Sequence, residues 1–279
     1  MSGTQQEGPA AEEIGLSMRE ATAPVEPRDA SAPATPRDAA GWAAKVGRLT
    51  VEREDGRRGA NVAGRRLSGP VQGFGRLWEK TYSVDLGPAI TPQAAIATWK
   101  AHFPEFWPEG NRFAGALTGI SPGDVALLDL KVGGGVKLST GVFVLYADNV
   151  SFTLMTPQGH MFAGWITFSG QREGETTVVR AQVLMRASDP LYEVGLMLGG
   201  HRKEDRFWVQ TLTALGERLG CSGVVPQTRS VCVDKRRQWR HAGNVWHNAA
   251  IRSLLQAAAR PLGRGRASGQ RRERQAEGR

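Results

Sequence analysis

DPLYEVGLMLGGHRKEDRFWVQTLTALGERL, residues Asp189–Leu219, is the stretch whose reading decides the fold. Asp189-Pro190 offers an N-cap and a proline at the first helical position. Behind them Leu191, Val194, Leu198, His201, Asp205, Trp208, Leu212, Leu215 and Leu219 follow at alternating steps of three and four, as one helix face turned toward a core requires. The spacing predicts one long helix. Its two polar exceptions, His201 and Asp205, stand one turn apart just after Gly199-Gly200, a pair that lets a ligand or backbone approach or permits a kink.

Upstream, the period changes from helical to two. RLWEKTYSVDL (Arg76–Leu86) sets Trp78, Tyr82, Val84 and Leu86 on one face and Glu79, Thr81, Ser83 and Asp85 on the other, as in a half-buried strand. Ile90-Thr91-Pro92 then opens a helix carrying Ala95, Trp99 and Phe103, which Pro104 ends or kinks, and PEFWP leaves room for one short turn. Strand-like runs follow around Arg112–Leu117, Val125–Lys131, Leu138–Ala147, Ser151–Thr156, Met161–Ser169 and Thr176–Arg186. Turn chemistry separates them: SPGD at 121–124, GGG at 133–135, Asp148-Asn149, PQGH at 157–160 and REGE at 172–175. Loops this short favour antiparallel neighbours. The predicted class is α+β: a curved antiparallel sheet of about seven strands around a long C-terminal helix, with a short broken helix pair after strand one. The space between sheet and helix is a natural ligand cavity.

This order resembles the START-like, helix-grip superfamily SRPBCC, in particular its uncharacterised bacterial members. The segments that carry the resemblance are LWEKTYSVDL, TPQAAIATWKAHFPEFWP, TGVFVLYADNVSFTLMTPQGHMFAGWITF and the long helix quoted above, over about residues 74–220. The resemblance implies a deep, mostly apolar cavity for lipids, sterols, polyketides or other hydrophobic molecules. Some members of the superfamily are catalytic and many are not, and no short catalytic signature exists to distinguish them.

The candidate catalytic group is His201 with Asp205, or with Glu204 if the helix is slightly rotated. A carboxylate at i+4 is expected to orient the imidazole and raise its pKa toward general-base work. The plainer alternative is a satisfied polar patch in HRKED. Aromatic residues Trp99, Phe106, Trp107, Phe113, Phe152, Trp165 and Trp208, with Leu198, are expected to line the cavity, and core packing is the default for each ring. Tyr82, Tyr146 and Arg112 are polar-tipped groups suited to orienting a ligand, and His160 in PQGH reaches the cavity mouth or is a turn residue. No metal or cofactor is expected: no second histidine follows His201 at i+4, and neither a phosphate-binding glycine signature nor GxSxG occurs. Whether the chain is an enzyme stays open.

Charge divides unevenly. Residues 1–66 hold 10 basic and 10 acidic side chains, residues 67–220 hold 13 and 14, and residues 221–279 hold 13 and 3. The excess of the chain's +9 charge therefore falls at the C-terminal end, with none of the motifs of specific nucleic-acid binding. Residues 1–66, rich in Ala and Pro, read as disordered, as does the basic tail 261–279. Residues 67–220 read as the ligand-binding domain and 221–260 as an extension. In that extension TRSVCVD suggests one more strand, and Asp234 to about Arg260 reads as a basic, Trp-bearing amphipathic helix. It is suited to docking on its own domain, on a partner or on an anionic membrane. Two widely spaced cysteines, Cys221 and Cys232, suggest reduced thiols. With no apolar run long enough to cross a bilayer and no cationic start leading into an apolar core, a cytoplasmic protein is expected.

Overall fold

A computed structural model describes residues 41–51, 58–115, 120–132 and 136–258. The stretches 1–40 and 259–279, including most of the predicted N-terminal disorder and the basic tail, lie outside the described residues, as do 116–117 of the predicted second strand and the GGG turn. In chain order the elements are β1 (Leu77–Asp85), α1 (Pro92–Ala101), β2 (Arg112–Ala114), β3 (Val125–Val132), β4 (Val136–Ala147), β5 (Ser151–Met155), β6 (Phe162–Glu173), β7 (Thr176–Ala187), α2 (Pro190–Gly195), α3 (His201–Arg218), β8 (Gln227–Asp234) and α4 (Ala249–Ala258). The strands form one eight-stranded sheet in the order β2-β3-β4-β5-β6-β7-β1-β8, with every neighbouring pair antiparallel. A sheet this long, curled against α1 and α3, is the helix-grip architecture expected from the sequence. The eighth strand is the TRSVCVD segment, paired to the free edge of β1.

Strand parity fixes the two faces. Inward-facing Tyr82, Val84, Phe152, Phe168, Val179, Ala181 and Met185 share one core with Trp99 and Phe103 of the α1 region and Leu212 and Leu215 of α3. Both helix starts follow the sequence signals: Thr91 accepts from Ala94 N–H, and Asp189 Oδ1 accepts from Leu191 and Tyr192 N–H at 2.8 and 3.0 Å.

The long helix is not continuous. Between α2 and α3 the segment Leu196–Gly200 is a kink, with Leu198 off helical geometry and Gly199 at φ 108°. The second glycine also fits closely, because a Cβ on Gly200 would stand 2.8 Å from the Gly195 carbonyl oxygen. A positive φ breaks the helix, so the faces of α2 and α3 are set independently of each other. The predicted stripe is therefore broken: Leu191, Val194 and Leu198 point to solvent, Leu198 at 82% exposure, while Glu193 and Leu196 turn inward. Glu193 is compensated by Arg237 at 3.2 Å.

The predicted helix over Asp234–Arg260 is likewise replaced. Its first residue ends β8, Trp239–His247 form a 3-10 segment, and only α4 is α-helical. Asn248 interrupts it: its Nδ2 donates to Asp189 Oδ2 at 2.7 Å, and its Oδ1 accepts from Ala250 and Ile251 N–H. This segment docks on the sheet's outer face, with α4 against β4. Residues 41–51 and 58–66, assigned from composition to the disordered region, lie beside it and build a second small core. There Leu49, Val62 and Phe143 are buried, with Leu127 and Leu145 packed around them. The physical reason is that three apolar side chains suffice when a ready-made sheet face supplies the rest of the burial. Cys221 and Cys232 are free thiols. No helix among the described residues is long and apolar enough to cross a membrane.

Candidate functional site

At the rim where the first turns of α3 cross β1, four polar side chains meet on the inward parity. Lys80, 1% exposed, lies between Trp78 and Tyr82 on that face of β1. Its Nζ donates to Asp205 Oδ1 at 2.7 Å and lies 2.9 Å from Glu204 Oε2. The Tyr82 hydroxyl also donates to Asp205 Oδ1, at 2.7 Å. Asp205 keeps a third of its side-chain surface in solvent, whereas Glu204 is nearly closed off. Burial pushes the Glu204 carboxyl up to about 7 against the opposing pull of Lys80. Burial, with Glu204 beside it, also drives the Tyr82 hydroxyl far above the ordinary tyrosine range.

His201 sits differently from the expectation. Its ring packs on Trp78 with centroids 4.6 Å apart, and its Nδ1 is 4.0 Å from Glu204 Oε2. No hydrogen bond joins it to Asp205, whose Oδ1 is taken by Lys80 and Tyr82. Burial and the nearby Lys80 charge lower its pKa to about 4, opposite to the rise predicted from the i,i+4 spacing. The residue that sequence reasoning missed is Lys80. Its signal was present: a lysine on the apolar parity of a strand either snorkels or must find buried carboxylates.

The structure gathers part of the predicted lining and scatters the rest. Trp99, Phe106, Trp107, Phe113, Phe152 and Trp208 belong to or pack on the inner core. Their rings touch through Phe103 and Phe168, with centroids 4.5–5.7 Å apart along Phe152–Phe168, Phe103–Phe152, Phe103–Trp107 and Phe103–Phe113. Side chains thus fill the interior where an open space was expected. Within it, the indole N–H groups of Trp99 and Trp107 are buried without a hydrogen-bond acceptor. Trp165 has the opposite parity to Phe168 and lies on the outer face against Gly69 and Met155. Tyr146 also leaves the inner face: it packs on Trp42, and its hydroxyl donates to Asp148 at 2.7 Å. Arg112 is exposed on the short edge strand β2. His160 is buried in the β5–β6 turn, where its Nδ1 accepts from Phe162 N–H and burial lowers its pKa to about 4. Leu198 points to solvent from the kink.

No family model matches the chain, and no curated protein matches it. Among solved structures the chain is similar to the di-domain ARO/CYC StfQ from the steffimycin biosynthetic pathway, at 12% identity over 52% of each chain with a TM-score of 0.39. The match thus spans about half the length of StfQ. A START superfamily protein from Mycobacterium smegmatis is 22% identical over 52% of this chain and 99% of its own, with a TM-score of 0.36. Major latex-like protein 151 of Panax ginseng is 15% identical over 46% of this chain and 95% of its own, with a TM-score of 0.31. The architecture itself rests on the strand order and helix placement described above.

Proposed function

We propose that this chain binds a hydrophobic small molecule or lipid between the sheet and α3, with the polar end of that molecule at Lys80, Tyr82, Glu204 and Asp205. One observation carries the reading: an ammonium and two carboxylates meet on the inward, otherwise apolar parity of β1 and α3, beside the rings of Trp78 and Trp208. Packing alone does not call for such a cluster, since apolar replacements of a buried ion pair are often neutral or stabilising. Perturbed ionisable groups beside an apolar surface concentrate at functional sites. The unpaired indole N–H groups of Trp99 and Trp107 add donors for an acceptor on the ligand. Entry requires the rings of this interior to part.

The test combines native mass spectrometry of freshly purified protein with titration by the neutral dye Nile red. A lipid-like or polyketide-like mass released on denaturation names the chemical class. Saturable dye fluorescence, weakened by Glu204→Gln and by Trp208→Ala, supports the site. A dye signal that neither saturates nor responds to the two substitutions, with no co-purified mass, sinks it.

A second reading, proton transfer on the bound molecule in the manner of an aromatase/cyclase or dehydratase, is favoured by one pair. Glu204, with a pKa of about 7, can both take and give a proton near neutrality, and His201 beside it is neutral above about pH 4. Cyclisation of a linear poly-β-ketone thioester that Glu204→Gln abolishes supports this role, whereas turnover unchanged in both Glu204→Gln and His201→Ala removes it. A third reading, contact of 234–260 with a membrane or second protein, draws on Trp239, Trp246, Leu254 and Leu255, which remain exposed after docking. Vesicle co-sedimentation unaltered by Trp246→Ala with Leu255→Ala excludes the membrane version.

A further inference from the structure

A cavity of about 380 Å³ opens on the outer side of the sheet, away from α3, lined by Arg48, Arg65, Arg66, Gln158, His247 and Arg252 with small residues at Ala60, Ala63 and Gly64. Three parts of the chain distant in sequence build it: Arg48 with residues 60–66, the β5–β6 turn, and the junction into α4. They are tied together. Gln158 N–H donates to the Arg66 carbonyl at 2.8 Å, Ala249 N–H to the Gly159 carbonyl at 2.9 Å, and Asn61 Nδ2 to Ser253 Oγ at 3.1 Å.

Four arginines thus line one concavity, and no carboxylate among the described residues lines it. Among the described residues none of the four is in a salt bridge. Arg48 donates to the Gly64 carbonyl at 2.8 Å, which fixes its side chain across the rim. Arg65 Nη1 stands 3.1 Å from His247 Nδ1. Since arginine can only donate, the imidazole accepts through Nδ1 and carries its proton on Nε2, a further donor. Like charges crowded together without counter-charge oppose the fold, so this arrangement is one that an anionic ligand relieves. Guanidinium forks match the paired oxygens of phosphate and carboxylate. The cavity exceeds what one phosphate fills and lies in the range of small-ligand sites, about 300–1,000 Å³.

We infer that this outer cavity is an anion site for a ligand carrying a diphosphate or several phosphate-ester oxygens, separate from the space between sheet and α3. Because its walls come from both residues 60–66 and the α4 junction, a bound anion holds the C-terminal segment on the sheet.

The probe is inorganic pyrophosphate, titrated into the full chain by calorimetry and in thermal unfolding, against sodium chloride at matched ionic strength. Saturable binding and a raised unfolding midpoint are expected. Arg66→Ala with Arg252→Ala weakens binding about tenfold or more by removing charge-assisted hydrogen bonds, while the midpoint without pyrophosphate does not fall, since the variant relieves like-charge repulsion. Arg66→Lys with Arg252→Lys retains charge but loses the forks, and falls between. Co-sedimentation with phosphatidic acid vesicles, sensitive to the same pair, assigns the phosphate to a lipid headgroup; binding to pyrophosphate alone assigns it to a soluble ligand. The inference is overturned if pyrophosphate does no more than sodium chloride, or if the alanine pair binds it as the wild type does. It is equally overturned if binding emerges only after Glu52→Gln, Glu54→Gln and Asp55→Asn, which would give the arginines to the chain's own acids.

Discussion

The two faces of the sheet solve the problem of charge in opposite ways. On the inner face an ammonium is buried with two carboxylates and a hydroxyl, so its desolvation is offset locally. On the outer face four arginines gather with no counter-charge among the described residues, but stay near water. The difference teaches that burial, not charge number, decides where compensation is compulsory: solvent screens the outer group, and nothing but neighbouring side chains can screen the inner one.

Breaking the inner arrangement has the largest expected effect. Lys80→Met leaves Glu204 without its cation and is expected to cost about 3–5 kcal/mol in urea unfolding. Lys80→Met combined with Glu204→Met removes the stranded charge and recovers most of that loss. A double variant no more stable than the single one would mean that the lysine acts through packing alone.

Next comes the tie between the outer layer and the sheet. Gly159 has φ 93°, and a Cβ there would stand 2.2 Å from the His247 carbonyl oxygen. Gly159→Ala is expected to cost about 2 kcal/mol or more from backbone strain and displacement. It also raises amide exchange in 239–255 while leaving the inner core protected. Equal exchange on both faces would show that the layers unfold together.

The pH dependence sharpens the comparison further. Glu204 has a folded pKa near 7, above its ordinary 4.5, so the stability it contributes is full below about pH 4.5 and is lost as pH rises toward 7. His201 has a folded pKa near 4, below its ordinary 6.5, so its contribution is full above about pH 6.5 and is lost as pH falls toward 4. Between these limits the two slopes oppose each other. His160, with a folded pKa near 4, adds a second slope of the same sign as His201, so wild-type stability is expected to rise from about pH 4.5 to 6.5, to be nearly flat in His201→Asn, and to rise more steeply in Glu204→Gln. Parallel profiles in the three proteins would refute both shifts.

The smallest effect belongs to the outer arginines. Arg66→Ala is expected to change stability by no more than about 0.5 kcal/mol, as for surface substitutions away from buried networks, while weakening pyrophosphate binding. A loss as large as that of Lys80→Met would make the outer charges structural and erase the contrast.

Much of the inner face was legible in sequence because period two and helical spacing are local. Thr91-Pro92 and Asp189-Pro190 marked helix starts, and Trp78, Tyr82, Val84 and Leu86 marked an inward face. What escaped lay between elements. The alternation that placed Trp78 and Tyr82 inward places Lys80 inward too, yet only the crossing of α3 supplies Glu204 and Asp205 to receive it. His201 and Asp205 had the right spacing for each other, but the fold packs the imidazole on Trp78 beside Glu204 and gives Asp205 to Lys80 and Tyr82.

By itself the sequence determined the α+β class, the antiparallel meander and the helix that closes on it, since each follows from side-chain periodicity and turn chemistry within a few residues. Tertiary structure alone decided the rest. The kink at Leu196–Gly200 turned the α2 part of the helical stripe to solvent, because a positive-φ break uncouples the faces of the two helices it joins. Dividing the charge by sequence position put the excess at the C-terminal end, yet the fold sets Arg48, Arg65 and Arg66 from a neutral segment beside Arg252 from that end. Electrostatic fields add in space, and no count along the chain contains the distances that set them.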